Sequence, residues 1–135
     1  MATLSCMRLD ERMEARGPIA PESLLGTWLN TNSATQGITR AVLASKGGQV
    51  TLQIFADSNP ELTEGEEAVA GLFAADSSST EAMAFSALYD FGLMETLLQG
   101  HVRQGVLIIA KFERFKDNSG RSNYFSKEFF YRVEK

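Results

Sequence analysis

From Leu24 to the C-terminus the chain is cut into short β-rich runs by turn-forming clusters, and nowhere does an apolar period of 3.6 residues persist. The clearest break is Lys46-Gly47-Gly48, because paired glycines take the positive φ that a tight hairpin turn needs to match the twist of its strands. Arg103-Gln104-Gly105 is a second such break. This punctuation predicts eight strands, over 25–31, 37–45, 49–56, 68–75, 82–91, 94–102, 106–115 and 123–133. Eight strands with short links form either an open sandwich or a closed barrel, and closure removes the free edges that template aggregation. The expected fold is therefore all-β, an eight-stranded antiparallel up-and-down β-barrel over residues 24–135. Eight strands leave an interior just wide enough to be filled by side chains or to hold one small molecule.

Residues 1–23 read differently. Arg8, Asp10, Glu11, Arg12, Glu14 and Arg16 crowd together, with Leu4, Met7, Leu9 and Met13 spaced unevenly among them. This is an N-terminal arm, either flexible or a short helix that shares one face among Cys6, Leu9 and Met13 and ends before Gly17-Pro18.

At 135 residues, 44% of them hydrophobic and 22% charged, the chain has the material for one domain with a real core and little for a second. A formal net charge of −4 argues against nucleic acid and anionic membranes as partners, since both reward a positive surface. No apolar run approaches the roughly 20 residues of a membrane-spanning helix. Cys6 stands alone, which rules out an intramolecular disulfide, and the start shows no secretory signal pattern. The expectation is a soluble, cytoplasmic protein.

Leu25-Gly26-Thr27-Trp28-Leu29-Asn30 on the first strand, answered by Tyr131-Arg132-Val133 on the last, resembles the calycin superfamily of lipocalins, fatty-acid-binding proteins and avidins. The resemblance implies that Trp28 packs at the base of the barrel beneath Arg132, closing it by a stacked cation–aromatic contact. Strand count and the lack of a helical lid make it most similar to an avidin, in which the Asn after the Trp, here Asn30, belongs to the ligand-contacting region. Avidin sites are walled by several tryptophans and this chain has one, so the resemblance carries the fold and not the ligand.

Alternation along the last strand puts Tyr124, Ser126, Glu128, Phe130 and Arg132 on one face, with Phe125, Lys127, Phe129, Tyr131 and Val133 on the other. If Arg132 points inward, Glu128 and Tyr124 enter the lumen and an aromatic stripe faces out. In 106–115, Val106, Ile108, Ala110 and Phe112 oppose Leu107, Ile109, Lys111 and Glu113, again with apolar residues on both faces. Strands apolar on both sides fit barrels packed wall to wall, so a homo-oligomer is expected.

Glu95, Glu113 and Glu128 are carboxylates within strands, and burial inside a barrel would raise the pKa of any of them toward the range useful for proton transfer. Glu95, Glu128 and Tyr124 are the catalytic candidates, against a plain reading in which strand glutamates lie on the wet face. His101, the only histidine, sits near a turn and reads as surface. One His and one Cys do not build a zinc centre, and the acidic stretch Asp57, Glu61, Glu64, Glu66 and Glu67 lacks calcium-loop spacing, so neither a metal nor a cofactor is expected. The best ligand-binding candidates are Asn30, Asn32 and Thr35 where the first strand ends, with Arg40 and Tyr89 nearby. Short amides and hydroxyls at a barrel mouth orient a ligand while an apolar lumen supplies affinity. Three functions follow: a carrier of a small, partly apolar ligand; a cofactor-independent cyclase or isomerase of natural-product type; and a filled, non-catalytic oligomeric scaffold.

Overall fold

The computed structural model describes residues 19–57 and 65–134. The expected N-terminal arm falls almost entirely outside them. Eight strands, β1 (Gly26–Asn30), β2 (Arg40–Lys46), β3 (Gln49–Phe55), β4 (Glu66–Ala74), β5 (Ala82–Asp90), β6 (Met94–Arg103), β7 (Val106–Phe115) and β8 (Tyr124–Glu134), form a closed barrel in sequence order. Every neighbouring pair is antiparallel, and β1 closes the ring against β8. No helix among the described residues is long and apolar enough to cross a membrane.

The tight turns are made as their residues require. Gly47 and Gly48 have φ of 57° and 84°, and Gln104-Gly105 repeats the arrangement at 52° and 81°. Both turns lie at one end of the barrel, together with the β4–β5 loop and residues 19–25. We call this end the base. The other end, the mouth, carries the β1–β2, β3–β4, β5–β6 and β7–β8 connections.

Register settles which faces are inside. Trp28 is paired with Arg132, Leu107 with Phe130, Ile109 with Glu128, and Glu113 with Tyr124, so the inward face of β8 is Tyr124, Ser126, Glu128, Phe130 and Arg132. On β7 the inward residues are Leu107, Ile109, Lys111 and Glu113, and Phe112, Phe125, Phe129 and Tyr131 point out and stay exposed.

The middle of the lumen is packed down to Trp28, and a hollow of ≈ 380 Å³ at the base is bordered by Trp28, Val102, Arg132, Ser23 and Glu81. Leu24, Trp28, Leu43, Leu52, Phe85, Leu98, Leu107, Ile109 and Phe130 are all fully buried. Burying each such side chain contributes about 1.5–3 kcal/mol. Ala20 bridges to Glu81 in the β4–β5 loop and Leu24 drops into the core, so residues 19–25 cap the base. The indole Nε1 of Trp28 donates to the Leu24 carbonyl at 3.0 Å. Above the ring, 4.5 Å from its centroid, lies the guanidinium of Arg132, which also donates to the Ser23 carbonyl. This is the closing contact that the resemblance implies.

Two boundaries differ from the sequence expectation by more than one residue. β2 begins at Arg40 rather than at 37, because residues 37–39 turn over the mouth and Asn30 Nδ2 takes the Ile38 carbonyl at 2.8 Å. β4 begins at Glu66 rather than at 68, and its register with β5 is confined to Gly71–Ala74 against Ala82–Ser86. Continued in register, that pairing would set Glu67 opposite Asp90, two like charges that repel across strands.

Candidate functional site at the barrel mouth

Toward the mouth the lumen changes character. The inward rows of β6 and β7 run from apolar Leu98, Leu107 and Ile109 to Thr96, Lys111 and Glu113, and the packed core gives way to a cavity of ≈ 280 Å³. Ile38, Ile54, Ala56, Phe91, Met94 and Phe115 form its apolar wall. Thr96, Lys111, Glu113 and Tyr124 are among its polar lining.

Glu113 is only 8% exposed. Its carboxylate accepts a hydrogen bond from the Thr96 hydroxyl, and Lys111 Nζ lies 3.7 Å from Oε2. Burying a carboxylate is costly unless donors and a cation replace the lost water, and the two inward neighbours supply both. Lys111 and Glu113 share a face because they are two apart on one strand. Tyr124 stands at the rim, half exposed, with its ring 6.2 Å from that of Phe115. Arg121 covers the other side of the rim, its guanidinium 4.2 Å over the Phe115 ring and paired with Asp117 at 2.9 Å.

A second polar group sits beside this cavity and holds the β1–β2 loop. Asn30 Nδ2 donates to Glu128 Oε2 at 2.9 Å, and the Thr35 hydroxyl donates to the same oxygen. The Thr35 oxygen in turn accepts the Gly37 amide at 3.0 Å, and Asn30 Oδ1 accepts the Asn32 amide at 2.8 Å. Gly37 leaves room for the Glu128 carboxylate: a Cβ there would lie 2.5 Å from Oε1 and push that group aside. The group fixes where the loop crosses the mouth, and Gln36, Gly37 and Ile38 line the cavity as a result.

Asn30, Thr35, Glu128 and Tyr124 are thus brought to one end of the barrel. Others are not. Arg40 lies on the outer wall with its guanidinium 4.0 Å over the Phe55 ring. Glu95 also faces outward, 3.8 Å from Lys116. Asn32 uses its side chain to accept the Ala34 amide within the loop. Tyr89 points inward but its hydroxyl is committed, donating between the Leu52 carbonyl at 2.7 Å and the Glu66 carbonyl at 3.0 Å. Burial, reinforced by the carboxylates of Glu66 and Glu67, pushes the Tyr89 hydroxyl well above its ordinary pKa.

Thr96, Lys111 and Gly37 were not singled out by the sequence, and Glu113 was noted only as a strand carboxylate. The signal was present: Leu107, Ile109, Lys111 and Glu113 form one alternating row whose character changes half-way along. It became readable once Arg132 fixed which face of β8, and through register which face of β7, looks inward. No protein-family model matches this sequence, and no curated protein or solved structure is significantly similar to it.

Proposed function

We propose that the protein binds one small, partly apolar molecule in the mouth of the barrel, with the polar end of the ligand on Glu113, Lys111 and Thr96. The observation that carries this reading is one ≈ 280 Å³ cavity whose lining joins apolar side chains to Thr96, Lys111 and Tyr124 beside a buried, charge-paired glutamate. The volume is at or just below the roughly 300–1,000 Å³ of drug-sized ligand pockets, which suits a compact metabolite. A lysine beside a glutamate suits a polar end that both donates and accepts. The Gly26 to Asn30 opening and the Trp28–Arg132 contact support kinship with the calycins, avidins in particular, whose barrels hold small molecules.

A second reading, an isomerase or cyclase without cofactor, draws on the same residues. Lys111 and Glu113 at 3.7 Å are spaced to exchange a proton with a substrate held near Tyr124, and orientation in a confined mouth lowers a barrier by several kcal/mol. The scaffold reading draws on the packed middle of the lumen and leaves the mouth cavity without a role.

Native mass spectrometry of the full chain recovered from a lysate of its source organism tests the proposal. The expected result is a defined extra mass on the wild type and on Glu95→Gln, whose change lies on the outer wall, and its loss in Glu113→Gln and Lys111→Met. A retained mass in all four proteins would place the ligand elsewhere. Bare protein throughout, with no thermal shift from small amphiphilic amines, alcohols or acids, would favour the scaffold. Conversion of the released compound by fresh protein would favour the enzyme.

A further inference from the structure

Outside the barrel, β4 to β8 carry a face that the mouth does not explain. Cross-strand register aligns its outward residues in rows. One row runs Phe73, Ala84, His101, Ile108 and Phe129. A second runs Ser86, Gln99, Ala110 and Lys127, and a third Leu88, Leu97, Phe112 and Phe125. Phe73, Phe125, Phe129 and Tyr131 are between 46% and 62% exposed, and Phe112 39%. An aromatic side chain presents about 150–250 Å² in full, so these five rings expose on the order of 500 Å² before the aliphatic residues are added. That already approaches the largest apolar patch of an ordinary monomer, about 300–600 Å², and is a large part of the ~800 Å² that each partner contributes to a stable interface.

The relief of the face is as informative as its area. Phe112 and Phe125, a registered pair with centroids 5.7 Å apart, stand up as a ridge. On one side of it is a hollow of ≈ 600 Å³ bordered by Phe73 and floored by Ala84, Ser86, Gln99 and Ala110; on the other is one of ≈ 520 Å³ around Leu88 and Leu97. A ridge beside a hollow floored in part by Ala84, Ser86 and Ala110, with Gln99, His101 and Lys127 around it, suits a second copy of itself. Turned about a twofold axis lying between them, the ridge of one copy enters the hollow of the other, and the reverse contact forms at once. The opposite wall is unlike it: outward positions of β2 and β3 include Arg40, Lys46, Gln49 and Gln53. An apolar face on one side only does not suit a barrel girdled by lipid, which needs a band all round.

We infer that the β5–β8 face is the interface of a homodimer, with a second copy of this chain packed wall to wall so that each Phe112–Phe125 ridge fills its partner's Ala84–Ala110 hollow. The interface rows run along the barrel wall and the cavity lies at its mouth, with Glu113 and Tyr124 bordering both it and the ≈ 520 Å³ hollow. This inference is independent of what the mouth binds.

Sedimentation equilibrium of the full chain at micromolar concentration tests it. The expected mass is twice the 14.8 kDa of one chain. Phe112→Arg removes the ridge and Ala110→Trp fills the hollow; each is expected to raise the dimer dissociation constant by at least ~30-fold, as loss of a hot-spot contact does. Both lie on the surface, and an unchanged far-UV circular dichroism spectrum shows that they fold. Val42→Arg, on the opposite wall, is expected to leave the dimer intact. A monomeric wild type overturns the inference, and if that monomer carries lipid, detergent or a different protein, one of those occupies the face instead. A dimer that survives both face variants, or that Val42→Arg dissociates, overturns it as well.

Discussion

The base and the mouth are two halves of one lumen, built from the same eight strands and solved in opposite ways. At the base, Leu24, Trp28, Phe85, Leu107 and Phe130 exclude water, and the inward-facing Arg132 places its guanidinium 4.5 Å from the centre of an indole. At the mouth, Asn30, Thr35, Thr96, Lys111, Glu113, Tyr124 and Glu128 bring hydrogen bonds and charges where further leucines and phenylalanines would have continued the core. Apolar packing stabilises in proportion to the area it removes from water, whereas a buried ion pair roughly breaks even against hydrophobic residues of the same size. The base therefore holds the barrel together. The strength of the base accommodates polar groups at the mouth, which is where we propose that a ligand binds.

Four substitutions put pressure on that contrast. Trp28→Ala at the base is expected to cost about 3–5 kcal/mol in urea unfolding, since it empties the largest side chain of the core and leaves Arg132 without its ring. A cost below about 1 kcal/mol would remove the base from its structural role. Lys111→Met at the mouth is expected to cost about 2 kcal/mol, the penalty of leaving Glu113 without its cation, moderated because the lysine is partly solvated. Adding Glu113→Leu to that variant is expected to recover the loss or exceed it. If the double variant is instead several kcal/mol less stable than the wild type, the mouth is structural and the contrast fails.

Tyr89 is the intermediate case, an inward residue near the mouth whose hydroxyl serves the wall. Tyr89→Phe is expected to cost about 1 kcal/mol at neutral pH, the net worth of the hydrogen bond shared by the Leu52 and Glu66 carbonyls. Its pH dependence sharpens the point. The folded hydroxyl has a pKa raised above the ordinary 10.0, so once pH rises past 10.0 the unfolded chain gives up this proton while the folded one keeps it. Stability from this group is complete below pH 10.0 and is lost as pH climbs toward the folded value. The wild type is expected to lose stability above pH 10.0 more steeply than Tyr89→Phe, and identical alkaline unfolding profiles would show that the hydroxyl is not held as described.

Much of the barrel was legible because its turns are made by residues with few alternatives. Gly47-Gly48 and Gln104-Gly105 occupy positive φ, and the hairpins they close lie where the sequence put them. Trp28 and Arg132 were legible as a pair through the resemblance to the calycins, and the first and last strands that carry them meet, as they must in a closed meander. The site was legible only in part. Asn30, Thr35, Glu128 and Tyr124 do converge on the mouth, but Arg40 and Glu95 face outward and Tyr89 is spent on backbone carbonyls. One residue of phase along a strand separates lumen from surface, and β7 and β8 are apolar on both faces, so hydropathy could not choose the phase.

The sequence by itself determined the strand count, the tight hairpin turns and the up-and-down order, because glycine-bearing turns and alternating β-rich runs are local properties of a few residues. Only the tertiary structure decided which faces look inward, that Glu113 is buried beside Lys111 and Thr96, and that Gly37 leaves room for Glu128. It also decided that Phe112 and Phe125 form a ridge beside a shallow floor. These are consequences of register between strands distant in the chain. Register is set by how the whole barrel packs around Trp28, Phe85 and Phe130, and no single segment carries that information.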